Sequence, residues 1–118
     1  MEEISIKQRE IFLVPFPFSN LTGSKIRPVL ILSKDSFNYN SNDVIVCGIT
    51  SNISKDFYSI NLNNSILEEG KLFEESFIKV ESLAKIEKKL LIKKIAKLKD
   101  KSFSEVLSKI LTIFKENN

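Results

Sequence analysis

The sequence predicts a mainly β domain closed by a C-terminal helix, its strands wrapped into a small, strongly bent sheet or barrel with helical cover. Three observations carry that expectation. Apolar residues come in short runs or alternate with polar ones, and stretches rich in Asn, Ser, Gly and Pro separate them. Five such runs follow one another before the pattern changes. From Ser102 onward the apolar residues recur at helical spacing. A chain of 118 residues is most simply one domain, 1–118, and is long enough to bury a real core.

The first run, Ile11–Phe16, is compact and apolar. Pro15 and Pro17 lack the N–H a ladder needs, so this strand ends there or lies on an edge. Positions 19–26, SNLTGSKI, read as a loop. Pro28–Ser33 is apolar on both faces and is expected at the centre of the sheet. Asp35–Asn42 reads as a polar connection, Asp43–Thr50 as a third strand, and Ser51–Asp56 as a loop. Tyr58–Leu62 alternates and makes a fourth strand. Asn63, Asn64 and Gly70 bracket a further loop, and Ser76–Ser82 alternates as a fifth strand. Ile86, Leu90, Leu91, Ile95 and Leu98 then fall at helical spacing, although a run as short as LIKKIAKL also fits a strand. Ser102 and Glu105 have the spacing of a capping box, in which each side chain satisfies the other's free backbone donor. Phe103, Val106, Leu107, Ile110, Ile113 and Phe114 make one apolar stripe, so Ser102–Lys115 is predicted helical.

Composition narrows the chemistry. The chain has no histidine and a single cysteine, Cys47. That removes a zinc site of the usual type, a Cys–His pair and a Ser–His–Asp triad. It also excludes an internal disulfide and fits a reducing cytosol. Apolar runs of about five residues are too short to span a membrane, and the acidic start MEEISIKQRE lacks the apolar core of a secretory signal. Charge is uneven: residues 1–84 carry a net −3 and residues 85–118 a net +6. A run of this kind is either a solvated lysine face or a patch for an acidic partner or nucleic acid.

Of 18 basic residues only two are arginine, Arg9 and Arg27, and Arg27 stands at the mouth of an apolar strand in SKIRPVLILS. Arginine offers a planar, permanently charged fork suited to carboxylate or phosphate. If the second and third strands are antiparallel neighbours, the start of one lies beside the end of the other. Arg27 then meets Thr50, Ser51 and Asn52 at one rim, beside the Gly-containing loop. A cation, two hydroxyls and an amide around one point suit a phosphodiester, which arginine can grip through two oxygens. The same residue types also serve as a surface ion-pair partner and as turn formers, and the residues alone leave both readings open.

REIFLVPFPFSNLTGSKIRPVLILS, DVIVCGITSN and GKLFEESFIKVESLAKIEKKLLIKKIAKL together resemble the MazF/PemK family of toxin endoribonucleases from type II toxin–antitoxin systems, over about residues 8–110. The resemblance implies an SH3-like, strongly bent antiparallel barrel of the MazF/PemK/CcdB kind, with LIKKIAKL as a strand. It implies a cytoplasmic homodimer that cleaves single-stranded RNA at a short sequence without metal or cofactor, leaving a 2′,3′-cyclic phosphate and a 5′-hydroxyl. A cognate antitoxin would bind and block the site. By position, Arg27 and Thr50 match the family's catalytic pair, and Gly23, Ser24 and Lys25 fall in its gating loop. Ser51, Asn52 and Ser82 fall where members contact substrate. The sequence departs from the family in three places. Arg9 precedes Glu10 where a glycine is usual, Ala96 replaces a common glycine, and the gating loop has no acidic residue. The last departure leaves the general base unassigned. Two other classes remain: a non-catalytic toxin of the same fold that poisons DNA gyrase, and an SH3-like binding module that grips a partner through its loops.

Overall fold

The computed structural model describes residues 5–16, 25–53 and 55–116. Among them are seven strands: β1 (Glu10–Phe16), β2 (Lys25–Ile31), β3 (Asp43–Thr50), β4 (Ser59–Leu62), β5 (Leu67–Gly70), β6 (Ser76–Glu87) and β7 (Lys93–Leu98). Two helices, α1 (Asp35–Asn40) and α2 (Asp100–Phe114), complete the described elements with two short 3₁₀ turns. The strands form one antiparallel sheet in the order β4-β6-β3-β2-β1-β7-β5. The sheet curls into a half-barrel that α2 covers.

Both faces of the sheet centre are apolar, as the continuous run in β2 leads one to expect. One face buries Ile11, Leu30, Cys47, Ile49, Ile78 and Val80 against Phe103 and Val106 of α2. The other buries Phe12, Val14, Val29, Ile31, Val44, Val46 and Ile86, closed by Ile6 and Leu91. Alternation sends successive residues to opposite faces, so each central strand serves both cores.

The curl has a local cause. β6 pairs with β3 along its whole length, but the register jumps: Gly48 opposes Lys79 while Cys47 opposes Leu83. Val80, Glu81 and Ser82 therefore form a bulge with no partner in β3. Such insertions bend a strand and increase its twist. The first half of β6 also holds β4, and the second half leaves it.

Several boundaries differ from the sequence reading. β2 begins at Lys25, so Arg27 lies inside the strand rather than at its mouth. Asp35–Asn40 is a helical turn, not an irregular connection, because Asn38 is buried and pins it. The Asn38 amide donates to the carbonyls of Ser33 (2.9 Å) and Ile6 (3.3 Å), and its oxygen accepts from the Ser33 hydroxyl. Lys93–Leu98 is a strand between β1 and β5, as the family resemblance implied, and the helical spacing there is coincidental. β5, short and charged, falls where only a loop was expected. The capping box does not form. Lys99 N–H is held by Ile66 O and Leu98 N–H by Arg9 O, so the chain is tied to the sheet up to Lys99, and α2 starts directly after it with no side-chain cap. None of the described helices is long and apolar enough to cross a membrane.

Two of the described residues take the left-handed conformation, Gly70 (φ 77°) and Arg9 (φ 79°). Gly70 also lies close against β7, where a Cβ would fall 2.2 Å from Ile95 O. Gly70→Ala therefore destabilises the fold by about 2–4 kcal/mol in urea unfolding. Arg9 offsets its strain with a 3.0 Å ion pair to Glu68 and a 2.9 Å bond to Leu98 O. Arg9→Gly and Arg9→Ala both lose those bonds, but only alanine keeps the strain. The glycine variant is therefore the more stable of the two by about 1 kcal/mol, against the usual order. Burial, with the nearby Glu81 charge, pushes the Cys47 thiol up to about 12. In the native protein it stays unreactive toward Ellman's reagent at pH 8, and one equivalent titrates on unfolding.

Candidate active site

Antiparallel register places the site. Val29 opposes Gly48 and Leu30 opposes Cys47. Carried two residues outward, the same register sets Arg27 across from Thr50. Pro28 has no N–H to offer, and the β2–β3 ladder stops at Val29. Past that point a pocket of about 230 Å³ opens between the strands, lined by Arg27, Pro28, Val29, Gly48, Ile49, Thr50 and Asn52. It continues the face of the second core: along β2 and β3 the aliphatic Val29 and Val46 give way to Arg27, Gly48 and Thr50.

Arg27 is half-buried. Among the described residues no carboxylate pairs with it. The ion-pair reading of an arginine instead fits Arg9. Thr50 Oγ1 accepts the Asn52 N–H at 3.1 Å, which folds the turn after β3 back on itself. A hydroxyl that accepts one bond keeps its own hydrogen to donate. Ser82, in the β6 bulge, sits over Gly48: a Cβ there would come 3.4 Å from Ser82 Cβ. A side chain at that position would fill the mouth that Ser82 flanks.

Of the residues singled out in the sequence, Arg27, Thr50 and Asn52 line the pocket and Ser82 stands beside it. Ser51 is exposed in the adjoining turn, outside the pocket lining. Lys25 is exposed at the start of β2, two residues from Arg27. Gly23 and Ser24 lie outside the described residues. Sequence reasoning missed Lys79, which pairs with Gly48 on β3 and Ser59 on β4. Its ammonium bonds Asp56 at 2.7 Å and meets Glu81 at 3.3 Å, and the Asp56 bond is the main reason its pKa is raised. Alternation in SFIKVES puts Lys79 on one face with Phe77. Without the bulge the opposing residue could not be known.

Larger cavities elsewhere lack an unpaired arginine among the described residues: in one of about 650 Å³ the arginine is Arg9, already paired with Glu68. One of about 330 Å³ lies between the N-terminal segment and α1, where Lys88 is held by Asn38 O and Lys7 lies 3.9 Å from Asp35. Four of the ten lysines in residues 85–118 pair with carboxylates: Lys85 with Asp43, Lys89 with Glu87, Lys94 with Glu10 and Glu69, and Lys97 with Glu68, while Lys93, Lys99, Lys101 and Lys115 are exposed. This matches a solvated, charge-laced surface.

The fold matches known structures along nearly its whole length. A mycobacterial endoribonuclease in complex with its cognate antitoxin superposes with a TM-score of 0.77 at 12% identity, over 96% of this chain and 98% of that one. A chain of a MazE–MazF crystal structure from Deinococcus radiodurans gives 0.76 at 16% identity, over 98% and 100%. The Mycobacterium tuberculosis toxin MazF-mt6 gives 0.70 at 21%, over 89% and 94%. At these identities the likeness is one of fold. No curated protein matches the chain by sequence. The sequence profile of the PemK-like, MazF-like toxins matches residues 7–114. That span takes in the bent sheet, the Arg27–Thr50 pocket and the covering helix, and the chain belongs to the PemK-like, MazF-like toxins of type II toxin–antitoxin systems.

Proposed function

We propose that this toxin is a metal-independent endoribonuclease acting on single-stranded RNA. The observation that carries the reading is the half-buried Arg27, unpaired among the described residues, beside the Thr50 hydroxyl in a pocket open to solvent. In the reaction the RNA 2′-oxygen attacks the adjacent phosphorus, and its proton passes to a base. The bond from phosphorus to the 5′-oxygen breaks, and that oxygen takes up a proton. The products are a 2′,3′-cyclic phosphate and a 5′-hydroxyl. The nucleophile belongs to the substrate, so DNA is spared. Arg27 grips two oxygens of the scissile phosphate and stabilises its transition-state charge. Thr50 positions the phosphate or the 2′-hydroxyl. Lys25 with Gly23 and Ser24 gates entry, and Ser51, Asn52 and Ser82 contact flanking nucleotides. The toxin works in the cytoplasm as a homodimer, and its cognate antitoxin binds over the site and blocks it.

The test is incubation with mixed-sequence RNA in EDTA and mapping of the cut ends. Wild type yields sequence-restricted cuts with 2′,3′-cyclic phosphate ends. Arg27→Ala and Thr50→Ala each lose about 100-fold or more, the scale of one transition-state donor. Arg27→Lys is at least about 10-fold slow, because a point charge lacks the bidentate grip. Intact RNA with wild type would transfer the assignment to a gyrase-binding toxin or a binding module. Equal rates for Arg27→Ala and wild type would remove Arg27 from the chemistry.

A further inference from the structure

Phe77 stands on the same rung of the sheet as the pocket. It pairs with Thr50 on one side and with Asn61 of β4 on the other, and directly opposed residues share a face. Strands lie about 4.8 Å apart, so the Phe77 ring is one strand beyond Thr50, on the side away from Arg27. Its neighbours Ile78 and Val80 point into the core under α2. Phe77 is half-buried and, among the described residues, packs into neither apolar cluster. A phenylalanine that contributes to neither core, next to a pocket with an arginine and a hydroxyl, is available to a ligand.

The far side of the ring carries an ordered polar edge. Asn63 Nδ2 donates to Asn61 Oδ1 at 2.7 Å, and Asn61 Nδ2 donates to Glu75 Oε2 at 2.8 Å. This relay holds Glu75 in place and leaves Oε1 unpartnered among the described residues. A carboxylate repels a phosphate backbone, so what it accepts is a base N–H. Adenine, cytosine and guanine each present an exocyclic amino group, whereas uracil's one N–H, at N3, lies between two carbonyl oxygens that repel a carboxylate.

We infer that Phe77 is the stacking platform for the nucleobase next to the scissile phosphate, and that Glu75, oriented by Asn61, selects a base with an exocyclic amino group at that position. Stacking holds the base regardless of identity, and the carboxylate sorts it. The inference rests on the endoribonuclease reading of the Arg27–Thr50 pocket.

The experiment uses a random-sequence RNA pool in EDTA with wild type, Arg27→Ala, Phe77→Leu, Phe77→Ala and Glu75→Gln. Cut ends are sequenced, and folding is checked by circular dichroism. Phe77→Leu keeps an apolar side chain in place and removes the π face. The expected result is cleavage slowed by about 10-fold to 100-fold in both Phe77 variants, the leucine variant folding like wild type. In wild type, uracil is depleted at one position beside the cut, and Glu75→Gln restores it there while the rest of the motif is kept. If wild type cuts RNA, Arg27→Ala does not, and Phe77→Leu matches wild type with the same base frequencies in Glu75→Gln, the inference falls while the nuclease stands. If wild type leaves the pool intact, both fall.

Discussion

The antiparallel register of β2 against β3 is the constraint on which the molecule depends. Both strands are apolar on both faces, and each face is committed to a different core. A slip of one residue would exchange the two sets of side chains. It would turn Arg27 toward the core that packs under α2, and an uncompensated guanidinium buried there costs several kcal/mol. Core packing therefore holds the face that carries Arg27 and Thr50 in place.

That register also explains where the pocket lies. Moving outward along β2 and β3, the side chains change from Val29 and Val46 to Arg27, Gly48 and Thr50. The apolar face ends where Pro28 withholds a ladder donor, so the pocket opens where the sheet can least hold itself shut. On the other side of β3 the unpaired Val80, Glu81 and Ser82 bend β6 over Gly48. This irregularity thus bends β6 and lays Ser82 beside the pocket.

The two arginines show how context divides one residue type. Arg9 sits in a left-handed turn and ties β5 to the end of β7 through Glu68 and Leu98 O. Its work is structural. Arg27 has no such partner among the described residues and faces the pocket. The lysines that make the C-terminal third basic are spread along β6, β7 and α2, and three of them, Lys85, Lys94 and Lys97, meet carboxylates of neighbouring strands.

The sequence by itself determined the class of fold, the central position of β2, the long C-terminal helix and the pairing of Arg27 with Thr50 as residues to watch. Those follow from periodicity, from proline's missing donor and from a rare residue placed in an apolar run, all local properties. It did not reveal α1, because a buried Asn38 looks like any loop asparagine until its three side-chain hydrogen bonds to Ser33 and Ile6 form. Nor did it reveal β5, too short and charged to carry a pattern, or the start of α2, which the sheet sets through Ile66 and Arg9. Lys79 and Phe77 were visible as alternating strand residues. That they flank the Arg27–Thr50 pocket was decided only by the bulge in β6, because a register jump shifts every later pairing and leaves no signature in hydrophobic spacing.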